Sequence, residues 1–269
     1  MWILKKAGAL FLPFLVYWGI YYAVLCGFTV LQSSAALLET ALDHPLWIMA
    51  VSACIAIPVL RRIFHKEWMK RTYIVKIEAH RAEKYLYTAM ISGGFTVAAN
   101  LFLNGLHIFD EASGYGRTAA ELFSESIWIQ IFTIGILMPI VEELIFRGIV
   151  LENFRQITSE TISIFLTSLM FAIYHGNVIQ GIYAFVFSIL MIYVYKKTGS
   201  LTSAIAFHIV SNLSGIGLEQ LGGLPEPCYW IGMAVFACLG LAGVLLLKRG
   251  CYYQMIPIEQ WSDTVQCIK

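Results

Sequence analysis

Three charged residues interrupt an apolar run near the middle of the sequence. Within IVEELIFRGI, Glu142, Glu143 and Arg147 stand among residues that would otherwise suit a membrane helix. An ionisable group at the centre of a spanning helix costs about 2.5–3.5 kcal/mol, so such groups face protein or a wet cavity. A carboxylate held in such a place can act as a general base. This stretch is therefore the first candidate for a chemical site.

The spacing of these residues predicts that the two glutamates point in different directions. Glu143 and Arg147 are four residues apart and can pair along one helical face. Glu142 is rotated by about 100° from its neighbour and is free to point elsewhere. Alternatively, the pair only joins neighbouring helices, and Glu142 extends towards the end of its own helix. The stretch taken alone leaves both interpretations open.

Two later stretches bring histidines into apolar runs. In FAIYHGN, Phe171 precedes His175 by four residues, and in AFHIVSN, His208 precedes Asn212 by four. That spacing lets His208 and Asn212 present hydrogen-bond donors to one point. A lone membrane histidine more often joins two helices by a hydrogen bond. Three runs that each carry such groups favour one shared polar site of Glu142, His175, His208 and Asn212.

The composition predicts the elements that position these residues. Apolar residues make up 59% of the 269, charged residues only 13%, and the mean hydropathy is +0.72. Average soluble domains carry about 25% charged residues. Apolar runs of about 18 residues or more are long enough to cross a bilayer as helices. We therefore predict an all-α polytopic membrane protein without a nucleic-acid partner.

We predict eight transmembrane helices, of which the second, fifth and seventh are short or broken by polar residues. They lie at about 8–31, 45–60, 86–108, 127–151, 160–177, 178–195, 200–217 and 228–247. Residues 61–84 form a basic connector and residues 250–269 a polar tail. We divide the chain into N-terminal helices with the connector (1–126), a core with the polar residues (127–217), and a last helix with the tail (218–269).

The distribution of lysine and arginine predicts the orientation in the membrane. These residues accumulate in cytoplasmic loops. With the N-terminus inside, 16 of the 18 fall in inside segments, and the exceptions are Arg117 and Arg147, which lies within the apolar stretch IVEELIFRGI. The inside set includes the connector, Lys196, Lys197 and Lys248. We therefore expect both termini in the cytoplasm. The length and plain architecture of the chain favour an integral protein of a bacterial plasma membrane.

The three polar stretches resemble the motifs of a known family. EELIFR, FAIYH and HIVSN occur in the order of the motifs EExxxR, FxxxH and HxxxN. These motifs belong to the CPBP family of CAAX proteases and bacteriocin-processing enzymes, also called the Abi family. The resemblance extends from about Trp128 to Ser214 and includes the turn TGSL. It implies an intramembrane endopeptidase that acts on a prenylated CAAX-type, bacteriocin-like or other membrane-associated peptide.

The resemblance also implies roles for the residues at the motif positions. Glu142 would activate the water, and His175 would help to hold it. His208 and Asn212 would form the oxyanion site. Arg147 would pair with Glu143 and keep the first motif in place, and Phe171 opens the second motif. Activated water and oxyanion donors are what peptide hydrolysis requires.

A metal-dependent mechanism uses the same residues. Glu142, His175 and His208 form a set of two histidines and one carboxylate, which catalytic zinc accepts with its fourth position left for water. The family has been described as metalloproteases and as glutamate proteases, and no HExxH helix is present. We favour glutamate catalysis without a cofactor, and zinc stays the alternative.

Two other functions remain open at this point. One is a catalytically idle immunity or scaffold protein with the same motifs. The other is a proton-coupled transporter, because intramembrane acids and histidines also mark proton relays. Transporters commonly show two repeated halves, which are not visible in this sequence.

The positions of the motifs within the predicted helices indicate how deep the site lies in the membrane. At about 1.5 Å per residue, Glu142 and His208 lie about 14 and 16 Å from the cytoplasmic ends of their predicted helices. His175 would lie deeper, at about 22 Å, unless its helix tilts or starts further in. We expect a cavity that opens to the cytoplasm, on which the four residues converge. Gly148 and Gly176 would permit close helix approach or local unwinding beside it.

Overall fold

Eight helices follow one another along the part of the chain that the computed structural model describes. That part comprises residues 2–31, 44–69, 73–77, 82–106, 124–221, 225–250 and 252–257. The helices are α1 (Trp2–Leu31), α2 (Pro45–Trp68), α3 (Glu83–Gly105), α4 (Ile127–Arg155), α5 (Glu160–Tyr174), α6 (Val178–Thr198), α7 (Leu201–Gln220) and α8 (Glu226–Arg249). Seven of them are long and apolar enough to cross a membrane. The predicted all-α polytopic membrane fold is confirmed.

The three helices predicted to be short or broken by polar residues differ in length. Helix α5 has 15 residues, whereas α2 has 24 and α7 has 20. The predicted second helix ended too early, at about residue 60, because α2 continues through Arg61, Arg62 and Lys66 to Trp68. Basic residues favour the last turns of a helix, where they face the negative end of its dipole.

A small antiparallel strand pair lies in the segments predicted as connector and tail. β1 (Tyr73–Ile77) pairs with β2 (Tyr253–Pro257), so that Tyr73 lies opposite Pro257. Pairing between segments this far apart leaves no local periodic pattern in the sequence. The rest of the predicted tail, residues 258–269, lies outside the described residues, as do Lys70, Arg71 and Arg81 of the connector.

The helix bundle has two chemically different ends. We call the basic end the one where α2, α4, α6 and α8 finish. At this end Lys196 Nζ lies 2.9 Å from Glu160 Oε1, and Lys197 Nζ donates to the Lys248 carbonyl at 3.5 Å. Apart from Arg147, the lysines and arginines in the described helices lie at or near this end; their positions are 5, 6, 61, 62, 66, 84, 155, 196, 197, 248 and 249.

The far end is where α2, α4, α6 and α8 begin. His44 Nδ1 lies 3.1 Å from Glu125 Oε1 there, and Gln130 donates to the Glu125 carbonyl at 2.7 Å. Across the same end, the Phe102 ring meets the Trp230 ring edge-on at 6.3 Å between centroids.

Helix α4 is the central element and is wound irregularly. Two π-helical segments, Ile131–Leu137 and Leu144–Val150, flank the α-helical segment Met138–Glu143. Pro139 cannot donate a backbone hydrogen bond, and π segments are a common way to absorb such a break. The acidic pair of the first motif therefore lies between two wide turns, and π turns occur frequently at functional sites.

Small residues bring two outer helices together. A Cβ added to Gly94 of α3 would lie 2.5 Å from the Gly240 amide of α8, so the two backbones are in contact. Without a hydrophobic force between helices in lipid, such contacts between small residues drive their association. Helix α8 thereby fixes α3, which forms one wall of the site described next.

Candidate active site

A cavity of about 270 Å³ lies among α2, α3, α4, α6 and α7, beside the end of α5. Glu142, His175, His208 and Asn212 all line it. The structure thus brings together the four residues that the motifs select, from two helices, α4 and α7, and from the end of a third, α5. Glu142 is 8% exposed and His208 6%, so both are almost removed from solvent.

The Glu143–Arg147 pair forms as its four-residue spacing predicts, and both side chains are fully buried. Arg147 Nη1 lies 3.0 Å from Glu143 Oε1, an ion-pair distance without the alignment of a good hydrogen bond. Nη2 donates to Ser188 Oγ of α6 at 3.1 Å. The guanidinium carbon lies 4.5 Å from the centre of the Phe171 ring. Arg147 therefore joins the first motif to the second and to α6.

Glu143 also contacts His208, a connection that the sequence does not predict. His208 Nδ1 lies 2.9 Å from Glu143 Oε1. A carboxylate only accepts, so Nδ1 is the protonated nitrogen that donates. The other nitrogen, Nε2, faces Glu142, whose Oε2 lies 3.7 Å away. Glu143 thus fixes the tautomer and the ring orientation of the histidine that faces the cavity.

His175 is positioned by the end of α5. The helix stops at Tyr174 because Gly176 adopts a left-handed conformation with φ of 68°, a region that favours glycine. Asn177 then begins α6, and its Oδ1 accepts from the amides of Ile179 and Gln180. His175 Nδ1 donates to the Phe171 carbonyl at 2.7 Å, which again leaves Nε2 available. Gly176 permits this turn, as predicted.

Asn212 is tied to the irregular part of α4. Its Nδ2 donates to the carbonyl of Ile134 at 2.9 Å, within the first π segment. A side-chain amide carries two N–H donors, so one remains for a ligand. The same π segment includes Gly135, where an added Cβ would lie 2.6 Å from Leu213. The close approach of α4 and α7 therefore holds Asn212 at the cavity.

One wall of the cavity comes from a helix outside the predicted core. Thr96 and Asn100 of α3 line the cavity, and Thr96 Oγ1 lies 2.8 Å from Ser211 Oγ of α7. Ser92 donates to the Phe207 carbonyl one turn away. These residues belong to none of the three motifs, and only the polar spacing SxxxTxxxN on α3 marks them in the sequence.

The opening of the cavity to the cytoplasm stays a prediction. The residues that line the cavity include Leu103, Gln180 and Glu219, which lie towards the far end of their helices. Helix α4 continues to Arg155, four residues beyond its predicted end. Glu142 therefore lies about 20 Å from the basic end at about 1.5 Å per residue, which is deeper than predicted.

The available histidine nitrogens at this site are atoms that zinc binds, but the distances between the potential ligands do not suit a metal ion. Each histidine keeps Nε2 free while Nδ1 is hydrogen-bonded, as in many metal-ligand histidines. In the part of the chain that the structure describes, however, no three His, Cys, Asp or Glu side chains form a group that could hold a metal ion. The described residues therefore do not fit a metal in this arrangement.

These observations define a class: an all-helical membrane bundle with a buried acid–histidine cavity at its centre. Comparison with known families agrees, because residues 124–214 match the family described as type II CAAX prenyl endopeptidase, Rce1-like. The match covers α4 to α6, the first 14 residues of α7 and all three motifs, and it confirms the resemblance predicted from them. It supports a CAAX-type intramembrane protease in general terms. No curated protein and no solved structure matches the chain.

Proposed function

We propose that this protein is an intramembrane endopeptidase in which Glu142 activates water for attack on a peptide bond. One observation carries the proposal: Glu142 shares the cavity with His208, whose Nε2 lies 3.7 Å from Glu142 Oε2. That distance is too long for a direct hydrogen bond and leaves the two groups free to act on a common reactant.

The steps follow from ordinary hydrolytic chemistry. The Glu142 carboxylate takes a proton from water as the water oxygen attacks the carbonyl carbon. The carbonyl oxygen becomes an oxyanion, and donors at Nε2 of His208 and Nδ2 of Asn212 stabilise it. The C–N bond then breaks, and the proton passes from Glu142 to the departing amine.

The role of His208 depends on its protonation. With Nδ1 donating to Glu143, Nε2 donates to an oxyanion only when the ring is an imidazolium. Glu143 lies against that ring and stabilises the positive charge, as the acid does in an acid–histidine pair. His175, through its own free Nε2, would accept a hydrogen bond from the attacking water.

Reconstitution of the purified protein into liposomes tests the proposal. A pool of internally quenched peptides and a farnesylated CAAX peptide serve as substrates. We expect cleavage by the wild type and at least a 100-fold loss in the Glu142→Gln variant, the scale of one general base. Glu152→Gln is the matched control, because Glu152 lies in α4 at the basic end and hydrogen-bonds Tyr195. Equal activity of both variants would remove Glu142 from the mechanism.

A further inference from the structure

Polar contacts join α3 and α7 at regular intervals. Ser92 donates to the Phe207 carbonyl, and one turn further along Thr96 Oγ1 lies 2.8 Å from Ser211 Oγ. Both contacts join residues 115 positions apart, so the two helices run in the same direction and advance together by one turn from contact to contact. Thr96 and Ser211 line the cavity. The two helices are therefore held together as far as the cavity wall.

The next pair in this register, Asn100 and Gly215, makes no such contact, and both residues line the cavity. A Cβ added to Gly215 would have no atom of the described residues within 4 Å, whereas one added to Gly93 would meet Val210 at 3.6 Å. Space therefore opens between α3 and α7 at the Asn100–Gly215 pair, and a side chain of a ligand can enter it.

Gly215 shares the cavity face of α7 with the proposed catalytic groups. It follows His208 by seven residues and Asn212 by three, which places all three on one side of the helix. Seven residues of helix rise about 10 Å, a distance that an extended peptide covers in about three residues. A peptide whose scissile bond lies between Glu142 and His208 can therefore place a side chain about three residues away beside Gly215.

Asn100 offers a hydrogen-bond acceptor to such a peptide. Its Nδ2 donates to the Thr96 carbonyl at 2.9 Å and to Tyr183 Oη at 3.4 Å. The Thr96 carbonyl can only accept, so the amide nitrogen lies on that side and Oδ1 on the other. Oδ1 has no hydrogen-bond partner among the residues that the structure describes. A peptide N–H that leaves water for this cavity requires an acceptor of this kind.

We propose that Asn100 and Gly215 form a substrate-binding subsite, in which Asn100 Oδ1 accepts a backbone N–H and the space beside Gly215 holds one side chain. The subsite selects an extended peptide by the side chain about three residues from the scissile bond. The inference rests on the proposed function for the position of that bond. Both residues lie outside residues 124–214, so the family match does not assign them.

Peptide binding tests the subsite independently of cleavage. The probes are fluorescent eight-residue peptides of one host sequence, with alanine or tryptophan at each position in turn. The protein is the Glu142→Gln variant in nanodiscs, which expose both faces. Adding Gly215→Leu should lower the affinity for one tryptophan peptide at least about tenfold and change that of the alanine peptides by less than about threefold. Glycine is unfavourable inside a helix, so this substitution should not unfold the protein.

Gly217→Leu is the matched control for the side-chain space. A Cβ added to Gly217 also has no neighbour within 4 Å among the described residues, but Gly217 is exposed and does not line the cavity. Equal loss for the two kinds of peptide, no loss for either, the same selective loss with Gly217→Leu, or no binding by any peptide overturns the subsite. Selective loss of binding, with no cleavage by the wild type, contradicts the peptidase and leaves the subsite established.

Ester substitution in the peptide tests the role of Asn100. In the peptide that binds most tightly, each backbone N–H is replaced in turn by an ester oxygen, which cannot donate. We expect one ester to weaken binding about threefold or more, and the same ester to have no effect in the Asn100→Leu variant. A loss of packing alone would weaken binding of the amide and ester peptides alike. An ester effect that persists in Asn100→Leu overturns this role.

Asn104→Leu is the matched control for this test. Asn104 Nδ2 donates to the Asn100 carbonyl, the same bond to the preceding turn that Asn100 makes to Thr96. Asn104 is exposed and does not line the cavity. We therefore expect the full ester effect in this variant.

Discussion

Glu143 and His208, 65 positions apart in sequence, are joined by a 2.9 Å contact between Oε1 and Nδ1. The same oxygen lies 3.0 Å from Arg147 Nη1. The second glutamate of the motif thus serves two cations at once when His208 is protonated. One prediction for each partner follows from this arrangement.

The Glu143→Gln variant should lose peptidase activity by about 10²–10⁴-fold, the range for loss of a positioned acid–base group. A neutral amide no longer stabilises the His208 imidazolium, so the oxyanion loses its donor. The measurement is kcat and KM, determined separately in liposomes. We expect kcat to fall while KM changes little, a split that general loosening of the fold would not produce. An unchanged kcat would contradict the role.

The Arg147→Met variant should be destabilised by about 3–5 kcal/mol, because it leaves the buried Glu143 charge without its partner. Unfolding in detergent, followed by helical circular dichroism, measures this loss. The double variant Arg147→Met with Glu143→Gln should recover part of it, because the unpaired charge is then removed. A double variant less stable than Arg147→Met alone would show that the pair does not compensate charge.

The His208→Ala variant should abolish cleavage while the protein still inserts and folds. His208 borders a cavity, so truncation leaves few packing contacts unfilled. His44→Ala is the control, because His44 is exposed at the far end and contacts Glu125. We expect wild-type turnover from this control. Turnover by His208→Ala close to the wild-type value would remove the residue from the site.

The Gly148→Ala variant should be destabilised by about 1–3 kcal/mol through overpacking. The added Cβ would lie 2.7 Å from the Phe64 ring of α2. Combining it with Phe64→Leu should restore most of the stability, measured by thermal unfolding. Gly19→Ala in α1, which has nothing within 4 Å of the new Cβ, should be neutral or stabilising. Equal effects of the two glycine substitutions would indicate a loss of backbone freedom instead of a clash.

Metal analysis decides between the two mechanisms. Glutamate catalysis predicts that the purified protein contains far less than one zinc per chain and keeps its activity after exhaustive chelation. The reason is that no three potential ligands form a group among the described residues. Stoichiometric zinc, together with activity that chelation removes and zinc restores, would establish the metal-dependent alternative.

Local spacing predicted the parts of the site that lie within one helix. Glu143 and Arg147 pair because four residues separate them, and the rings of Phe171 and His175 meet edge-on for the same reason, with centroids 4.7 Å apart. The three motifs also placed Glu142, His175, His208 and Asn212 together correctly. Helical periodicity and the family resemblance were sufficient for these relationships.

Contacts between helices could not be predicted in the same way. The Glu143–His208 contact and the Ser188 partner of Arg147 depend on helix rotation, which one sequence does not specify. The depth of Glu142 along α4 was underestimated because helix ends are uncertain by several residues. An error of four residues in α4 corresponds to about 6 Å of depth.

The shortness of α5 has a consequence for the lipid around the site. Its 15 residues span about 22 Å, whereas the hydrocarbon core of a bilayer is about 30 Å thick. Glu160 is held at the basic end by Arg155 and Lys196, so the missing length falls at the His175 end. Beside α5 the bilayer therefore has to thin, a hydrophobic mismatch that draws headgroups and water inward. A peptide leaving the bilayer laterally at this point meets a lower solvation barrier than elsewhere on the bundle.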